Sequence, residues 1–109
     1  MAEVFVEAVK AGELPPGKMK QVRIGRRLLL LANIEGRFYA ADDTCTHEDA
    51  SLSAGVLKDG LVRCPLHGSR FNVCTGEALE EPAEQGLRVY PVRVEGERVL
   101  VGLAADETP

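Results

Sequence analysis

The sequence has no long apolar segment and no pair of cysteines placed for a structural disulfide. Its longest apolar run begins at Leu28 and is stopped by the polar Asn33, far short of the roughly 20 residues of a membrane-spanning helix. The first ten residues, MAEVFVEAVK, include early acidic residues and no apolar run of signal-peptide length. These absences predict a protein without a membrane segment that works in the reducing cytoplasm.

Basic residues are also few in this chain of 109 residues. It has 13 Lys and Arg against 17 Asp and Glu, a formal net charge of −4, which argues against nucleic-acid binding and favours steering toward basic partner faces. Apolar residues make up 45% of the chain and charged residues 28%, so neither disorder nor a membrane class is favoured. The length predicts a single domain over residues 1–109 with a modest core.

Both histidines of the chain lie beside a cysteine, in the stretch from Cys45 to Asn72. Cys45 and His47 are separated by one residue, sixteen residues follow, and Cys64 and His67 are then separated by two. An isolated cysteine is usually a small buried hydrophobe. Two mixed pairs in the same order instead indicate a metal site, because each short loop brings two donors to the metal.

Two kinds of metal centre remain open from the ligand types alone. A tetrahedral structural zinc takes two Cys and two His, but zinc fingers usually pair cysteine with cysteine and histidine with histidine. A mixed pair in each loop also suits a two-metal centre in which the thiolates bind one metal and the imidazoles the other. Such a ligand set is that of a Rieske [2Fe-2S] centre.

The two loops, C-T-H and C-P-L-H-G-S-R-F, resemble the cluster-binding motif of the Rieske family, C-x-H followed by C-x2-H. The resemblance continues, more weakly, at Thr75-Gly76, Pro82-Ala83, Leu87 and Tyr90. It implies one [2Fe-2S] cluster per chain, with Cys45 and Cys64 on the buried iron. By the same resemblance His47 and His67 bind the outer iron.

The detail of the loops points to one branch of that family. Rieske proteins of respiratory and photosynthetic complexes add two cysteines that form a disulfide, and this chain has Ala50 and Leu66 at those positions. It resembles instead the ferredoxins of bacterial aromatic-ring-hydroxylating dioxygenase systems of the biphenyl, naphthalene or carbazole type. Those ferredoxins carry CPxHG and the stretch F-[DN]-V-C-T-G, which is found here from Phe71 to Gly76.

This resemblance implies a soluble, monomeric one-electron carrier. It would take electrons from an NAD(P)H-dependent flavoprotein ferredoxin reductase and pass them to the Rieske centre of a terminal oxygenase. We expect no catalytic residues, because four protein ligands leave no coordination position for a substrate. Two alternatives remain: a Rieske-like small subunit of an assimilatory nitrite reductase, and a structural zinc module that binds an interaction partner.

Two residues near the second loop bear on the reduction potential. High-potential Rieske proteins have a serine and a tyrosine that donate hydrogen bonds to a sulfide and to a ligand thiolate. The resemblance places Ser69 and Phe71 at those positions, so one donor is lost. It implies a potential in the lower part of the Rieske range of roughly −150 to +300 mV.

Other residues around the motif have more ordinary interpretations. We expect Cys74, the odd cysteine, to be a buried and inert thiol, because it follows the apolar pattern Phe71-x-Val73. By resemblance, Pro82 lies in a loop that covers the cluster. Glu48 and Asp49, directly after the first histidine, are candidates for a docking rim, although exposed loop acids are usually only solvated.

The remaining sequence predicts an all-β domain, with tight turns at Gly25-Arg26, Glu35-Gly36 and Asp59-Gly60. The glycine-first pair Gly25-Arg26 suits a type II′ hairpin. We expect the four-leucine run from Leu28 to Leu31 to be a buried strand, because the flanking turns leave too little room for a helix. The predicted strands are Val4 to Glu7, Gln21 to Ile24, Arg27 to Asn33, Arg37 to Ala41, Val56-Leu57, Leu61 to Cys64, Val89 to Glu95 and Arg98 to Gly102.

Short and regularly spaced strands indicate an antiparallel β-sandwich or barrel. The ligand loops fall between outer strands. We therefore expect them to form an inserted two-loop cluster-binding subdomain over about residues 43–82, and the resemblance implies the Rieske fold for the whole.

Overall fold

The computed structural model describes residues 3–25, 27–44, 51–65, 70–79 and 86–104. These residues form ten strands and two short 3-10 helices, at Ala11–Glu13 and Leu52–Ala54. The predicted all-β, antiparallel class is confirmed. The strands are β1 (Glu3–Lys10), β2 (Met19–Ile24), β3 (Arg27–Ile34), β4 (Arg37–Asp42), β5 (Val56–Lys58), β6 (Leu61–Arg63), β7 (Arg70–Asn72), β8 (Val89–Tyr90), β9 (Val92–Glu95) and β10 (Arg98–Ala104).

The strands form three antiparallel sheets. Their orders are β1-β10-β9, β2-β3-β4-β8 and β5-β6-β7. The four-stranded sheet lies between the other two, since its buried side chains on one face pack with β1 and β10 and those on the other face pack with β6 and β7. The small sheet β5-β6-β7 comes from the part of the chain between β4 and β8.

Strand β3 shows why the leucine run is extended rather than helical. Leu29 and Leu31 are buried on the face toward β1 and β10, whereas Leu30 is buried on the face toward β6 and β7. A strand places successive side chains on opposite faces, so a central strand between two cores is apolar on both. The predicted buried strand is confirmed, with Leu28 40% exposed at its start.

Two buried clusters result from this layering. The body core, between β1-β10-β9 and the four-stranded sheet, consists of Val9, Leu14, Ile24, Leu29, Leu31, Ala40, Tyr90, Val99, Val101 and Leu103. The loop core, between the four-stranded sheet and the small sheet, consists of Leu30, Ala32, Ala41, Leu52, Val62, Cys64, Phe71, Val73 and Leu87.

The predicted turns are present where the structure describes them. Asp59 and Gly60 have φ of 53° and 77° and connect β5 to β6, while Glu35 and Gly36 have φ of 54° and 90° and connect β3 to β4. Gly25 has φ of 61°, the positive value required at the first position of a two-residue hairpin loop. The next residue, Arg26, is outside the described residues.

The strands differ from the predicted ones in two places. The single strand expected from Val89 to Glu95 is wrong, because Pro91 separates β8 in the four-stranded sheet from β9 in the sheet with β10. Proline has no N–H for a ladder, and its carbonyl here accepts the Gly102 N–H at 2.9 Å. Strand β7, Arg70–Asn72, was not predicted, since three residues are too few to display an alternating pattern.

Within the described ranges, no helix is long and apolar enough to cross a membrane.

Candidate metal centre

Cys64 is the predicted ligand that the structure describes. It follows β6 directly, its side chain is 2% exposed, and it packs in the loop core with Val62 and Phe71. Strand β6 is the middle strand of the small sheet and pairs with β5 and β7. The cysteine is therefore held at the end of a strand that has a neighbour on each side.

The second predicted loop begins at that cysteine. Arg63 and Arg70 are the terminal cross-strand pair between β6 and β7, so residues 64–69 make up the whole connection between these strands. Pro65 is exposed in a turn. His67 and Ser69 lie outside the described residues, as does Leu66.

The first predicted loop is closed at its base by an antiparallel bridge between Thr44 and Ser51. The six residues between them, 45–50, include the predicted ligands Cys45 and His47, which lie outside the described residues. Below the bridge the Leu52 N–H donates to the Asp43 carbonyl oxygen at 2.7 Å. The ends of the loop are thus fixed to each other independently of what the loop binds.

The bases of the two loops are adjacent. Leu52, on the 3-10 helix that follows the first loop, is fully buried in the loop core with Cys64. Gly55, directly after that helix, lies so close to β6 that an added Cβ would overlap the carbonyl oxygen of Arg63. Only glycine permits such an approach. The close contact brings the segment that follows the first loop beside Arg63, the residue before Cys64.

The connection from β7 to β8 also contributes to the loop core, through Leu87. The Leu87 N–H donates to the carbonyl oxygen of Gly76 at 2.6 Å. Gly76 has φ of 84°, and a Cβ there would overlap the Leu87 carbonyl oxygen. The predicted proline loop at Pro82, between these two points, is outside the described residues.

The donor set fits a cluster with two thiolate and two imidazole ligands. A buried thiol beside the closed base of a Cys-His loop provides the apolar side of such a site, and the second Cys-His loop starts from the same position. Among the described residues alone, no three His, Cys, Asp or Glu side chains lie close enough to hold a metal. Three of the four predicted ligands lie in the other segments.

The prediction for Cys74 is wrong. The thiol is exposed, not buried. Phe71 and Val73 do point inward, at 0% exposure, but β7 ends at Asn72 and a turn follows. The Asn72 Oδ1 accepts the Cys74 N–H at 2.9 Å, as an Asx turn does, so the alternation stops and the thiol faces solvent.

Phe71 occupies the core rather than the surface. It is fully buried, pairs with Val62 across the small sheet and has no hydroxyl to donate. The position at which the tyrosine hydroxyl of high-potential Rieske proteins is missing is therefore filled by a side chain that packs in the same core as Cys64.

One feature of the site was missed by the sequence analysis. The Asp43 side chain is 1% exposed and accepts hydrogen bonds from Gln21, Ser51 and Ser53. The available signal was an acidic residue just before C-T-H with two serines just after the loop. No local signal indicates that Gln21, which is 22 positions away in the sequence, donates the third of these hydrogen bonds.

The profile of the Rieske [2Fe-2S] domain family matches residues 4–91 of the chain. The ferredoxin component of a naphthalene 1,2-dioxygenase system of Pseudomonas aeruginosa is 42% identical over 104 residues, which cover 95% of this chain and 100% of that protein. The biphenyl 2,3-dioxygenase ferredoxin component of Rhodococcus jostii is 43% identical over 98 residues, 90% of this chain and 92% of that protein.

Among solved structures, a chain from the complex of reduced oxygenase and oxidised ferredoxin in carbazole 1,9a-dioxygenase superposes with a TM-score of 0.86. It is 37% identical, and the match covers 99% of this chain and 98% of that chain. The similarity extends over the strands that carry both loops.

Proposed function

This chain belongs to the Rieske [2Fe-2S] family, and we propose that its cluster is held by Cys45, His47, Cys64 and His67. The two cysteines would hold one iron and the two histidines the other. The observation that supports this assignment most directly is the position of Cys64, a 2% exposed thiol at the end of β6 beside the closed base of the first loop.

The described residues form the surroundings of the proposed ligand Cys64. Leu52, Val62 and Phe71 are all 0% exposed and pack with Cys64 in the loop core, so they exclude water from its sulfur. Exclusion of water and the hydrogen bonds to the sulfurs are among the factors that set the potential of such a centre. Exposed Pro65 places the start of the second loop at the surface, which suits a histidine edge open to a redox partner.

The chain functions as a ferredoxin, an electron carrier rather than an enzyme, as do its relatives in dioxygenase systems. The bound cluster supplies a one-electron redox couple. The finer assignment is that the electron comes from an NAD(P)H-dependent flavoprotein reductase and goes to a terminal ring-hydroxylating oxygenase. The carbazole relative, which forms a complex with its oxygenase, supports the second half of this assignment.

The organisation and location follow from the same role. The chain acts as one domain over residues 1–109, with the cluster-binding subdomain at about residues 43–82. Its large exposed apolar side chains are scattered over separate elements, as in a monomer: Val4, Leu28, Val56, Leu79, Val89 and Val94. The exposed thiol of Cys74 suits the reducing cytoplasm, where NAD(P)H is available.

The assignment is tested by comparing two cysteine variants purified without oxygen. Cys64→Ser removes the buried thiol, and we expect it to abolish the two irons per chain, the visible colour and the EPR signal of the reduced cluster. Cys74→Ser is the matched control, because it removes an exposed thiol in the same part of the chain. It should keep the wild-type iron content and spectrum.

Other outcomes would overturn particular parts of the assignment. A colourless wild type that contains zinc would support the structural zinc module instead. A wild-type spectrum in Cys64→Ser would refute Cys64 as a ligand. Constant co-purification with a much larger subunit would favour the nitrite reductase type of small subunit over a mobile carrier.

A further inference from the structure

A buried carboxylate lies at the base of the first loop. Asp43 is 1% exposed, and its carboxylate accepts three hydrogen bonds from the residues that the structure describes. Its Oδ2 accepts from Gln21 Nε2 at 2.7 Å and from the Ser51 hydroxyl at 2.5 Å, while its Oδ1 accepts from the Ser53 N–H at 2.8 Å. The three donors that the described residues supply to this carboxylate are all neutral, an amide, a hydroxyl and a backbone N–H.

These hydrogen bonds connect both ends of the loop to one residue. Asp43 comes two positions before the proposed ligand Cys45, and Ser51 and Ser53 come after the loop. The main chain adds the Thr44 and Ser51 bridge and the Leu52 N–H to Asp43 carbonyl hydrogen bond. Gln21 ties the group to β2 of the four-stranded sheet.

Covalent geometry limits how far Asp43 can lie from the first proposed ligand in the sequence. Two residues span at most about 7 Å, so the Asp43 Cα lies within that distance of the Cys45 Cα. Reduction of the centre adds one electron and thus one negative charge. A fixed negative charge nearby disfavours that addition, and net charge around the site is one of the factors that set the potential of such clusters.

We propose that Asp43 is a positioning residue for the first cluster loop and that its buried charge lowers the reduction potential of the centre. This inference rests on the proposed function. It assigns a role in electron transfer to a residue outside the ligand set, through two effects that are separable by experiment. One is attachment of the loop that carries Cys45 and His47, and the other is the electrostatic field at the cluster.

The charge effect is tested with Asp43→Asn, which keeps the size of the side chain and removes the charge. We expect the midpoint potential, followed by visible absorbance or EPR at one pH, to rise. At a fixed ambient potential the ratio of reduced to oxidised protein should increase about tenfold, or ~59 mV for a one-electron couple. The cluster should also be released faster to an iron chelator.

Glu35→Gln is the matched control, since it removes one charge from the exposed turn at the other end of β4. The six residues of β4 span about 20 Å, and charges so far apart are largely screened at the surface. Its midpoint should stay near that of the wild type. Equal midpoints and equal iron release in Asp43→Asn and Glu35→Gln would overturn the proposal.

A charge-swap variant distinguishes the field from a merely structural role. Adding Gln21→Glu to Asp43→Asn restores one carboxylate, now on residue 21. That carboxylate can accept a hydrogen bond from the new amide at position 43, the reverse of the wild-type hydrogen bond. The double variant should recover a midpoint closer to the wild type than Asp43→Asn alone. A midpoint that stays at the Asp43→Asn value would exclude the electrostatic part of the proposal.

Should Asp43→Asn retain no iron, Ser51→Ala tests the attachment. It removes one donor and keeps the carboxylate. The comparison variant Ser53→Ala keeps both the Ser51 hydroxyl and the backbone N–H that bind Asp43, and it loses only a hydroxyl that contacts the Ser51 hydroxyl at 2.8 Å. Ser51→Ala should release iron faster than Ser53→Ala, and identical release rates would contradict the positioning role. A wild type without iron would refute the proposed function itself before any variant is compared.

Discussion

The two cores of this small protein are stabilised in different ways. The body core is enclosed by long strands, such as β1 and β3 with eight residues each, whose registers run almost end to end with their neighbours. The loop core is covered on one side by strands of three residues, β5, β6 and β7. Among the described residues, the proposed ligand Cys64 belongs to the loop core.

This difference indicates which half depends on the metal. Ladders of three residues contribute little stability by themselves. Of the four connections that join the small-sheet strands to each other or to β4 and β8, two are the loops that carry the proposed ligands. Long paired strands need no such support. We therefore expect the body to be stable by its own packing and the small sheet to be stable only with the cluster bound.

Removal of iron should have the largest effect of the changes considered. When the cluster is extracted with a chelator under reducing conditions, backbone amides in β6 and β7 should exchange hydrogen at least about a hundredfold faster, because the loops no longer hold the small sheet. Amides in β3 and β10 should remain protected. Hydrogen exchange followed by mass spectrometry, with and without iron, provides the measurement.

The native protein with cluster, passed through the same buffers without chelator, is the control for handling. A uniform loss of protection in β3, β10 and the small sheet would mean that the two halves unfold together. In that case the contrast between the cores would be one of architecture and not of stability.

Two leucines permit a matched test of the same contrast. Leu52 in the loop core and Leu103 in the body core are both 0% exposed. Truncation of either to alanine should lower the free energy of unfolding by about 2–5 kcal/mol, because each leaves a cavity. Only Leu52→Ala should also accelerate iron release, since Leu52 packs with Cys64 and follows the first loop.

Urea unfolding gives the first quantity and chelator-dependent loss of visible absorbance gives the second. Iron release that is equally fast in Leu103→Ala would show that the cluster responds to global stability alone. A normal release rate in Leu52→Ala would remove Leu52 from the wall of the site.

The sequence carried much of the fold because its signals are local. The turns Glu35-Gly36 and Asp59-Gly60 need residues that tolerate positive φ, and each has them in the sequence. The short lengths between turns predict a strand for the leucine run, although the sequence does not show the two cores that bury it. The family and the cofactor were also accessible, since the Cys-His spacing is itself the signal.

The predictions that were wrong or missing concern features that a local pattern does not show. The exposure of Cys74 follows from a turn set by the Asn72 side chain, and the change of sheet at Pro91 follows from how β8 and β9 find separate partners. The hydrogen bond from Gln21 to Asp43 joins residues 22 positions apart. The change of sheet at Pro91 and the hydrogen bond from Gln21 depend on tertiary contacts, which spacing within one segment does not encode. The turn at Asn72 is local, but the apolar alternation of Phe71 and Val73 does not show where it stops.

The smallest expected effect concerns pH and belongs to the body core. Tyr90 is 5% exposed, its hydroxyl donates to Asp42 Oδ1 at 2.5 Å, and the Arg88 guanidinium lies 4.7 Å from its ring centroid. Burial, followed by the hydrogen bond to Asp42 and the charge of that carboxylate, raises the pKa of Tyr90 well above its usual value of about 10.

The sign of the pH dependence follows from proton binding. Above about pH 10 the unfolded chain releases the phenolic proton while the folded chain keeps it, so the stability contributed by Tyr90 is complete below that pH and declines as pH rises further. The decline is at most about 1.4 kcal/mol per pH unit. Urea unfolding of wild type and Tyr90→Phe between about pH 9 and pH 11 should show a steeper loss of stability in the wild type.

Iron release should be alike in both proteins, because Tyr90 lies across the four-stranded sheet from Cys64. Parallel stability curves would mean that the phenol titrates alike in both states, and faster iron release in Tyr90→Phe would show that the two cores are coupled through that sheet.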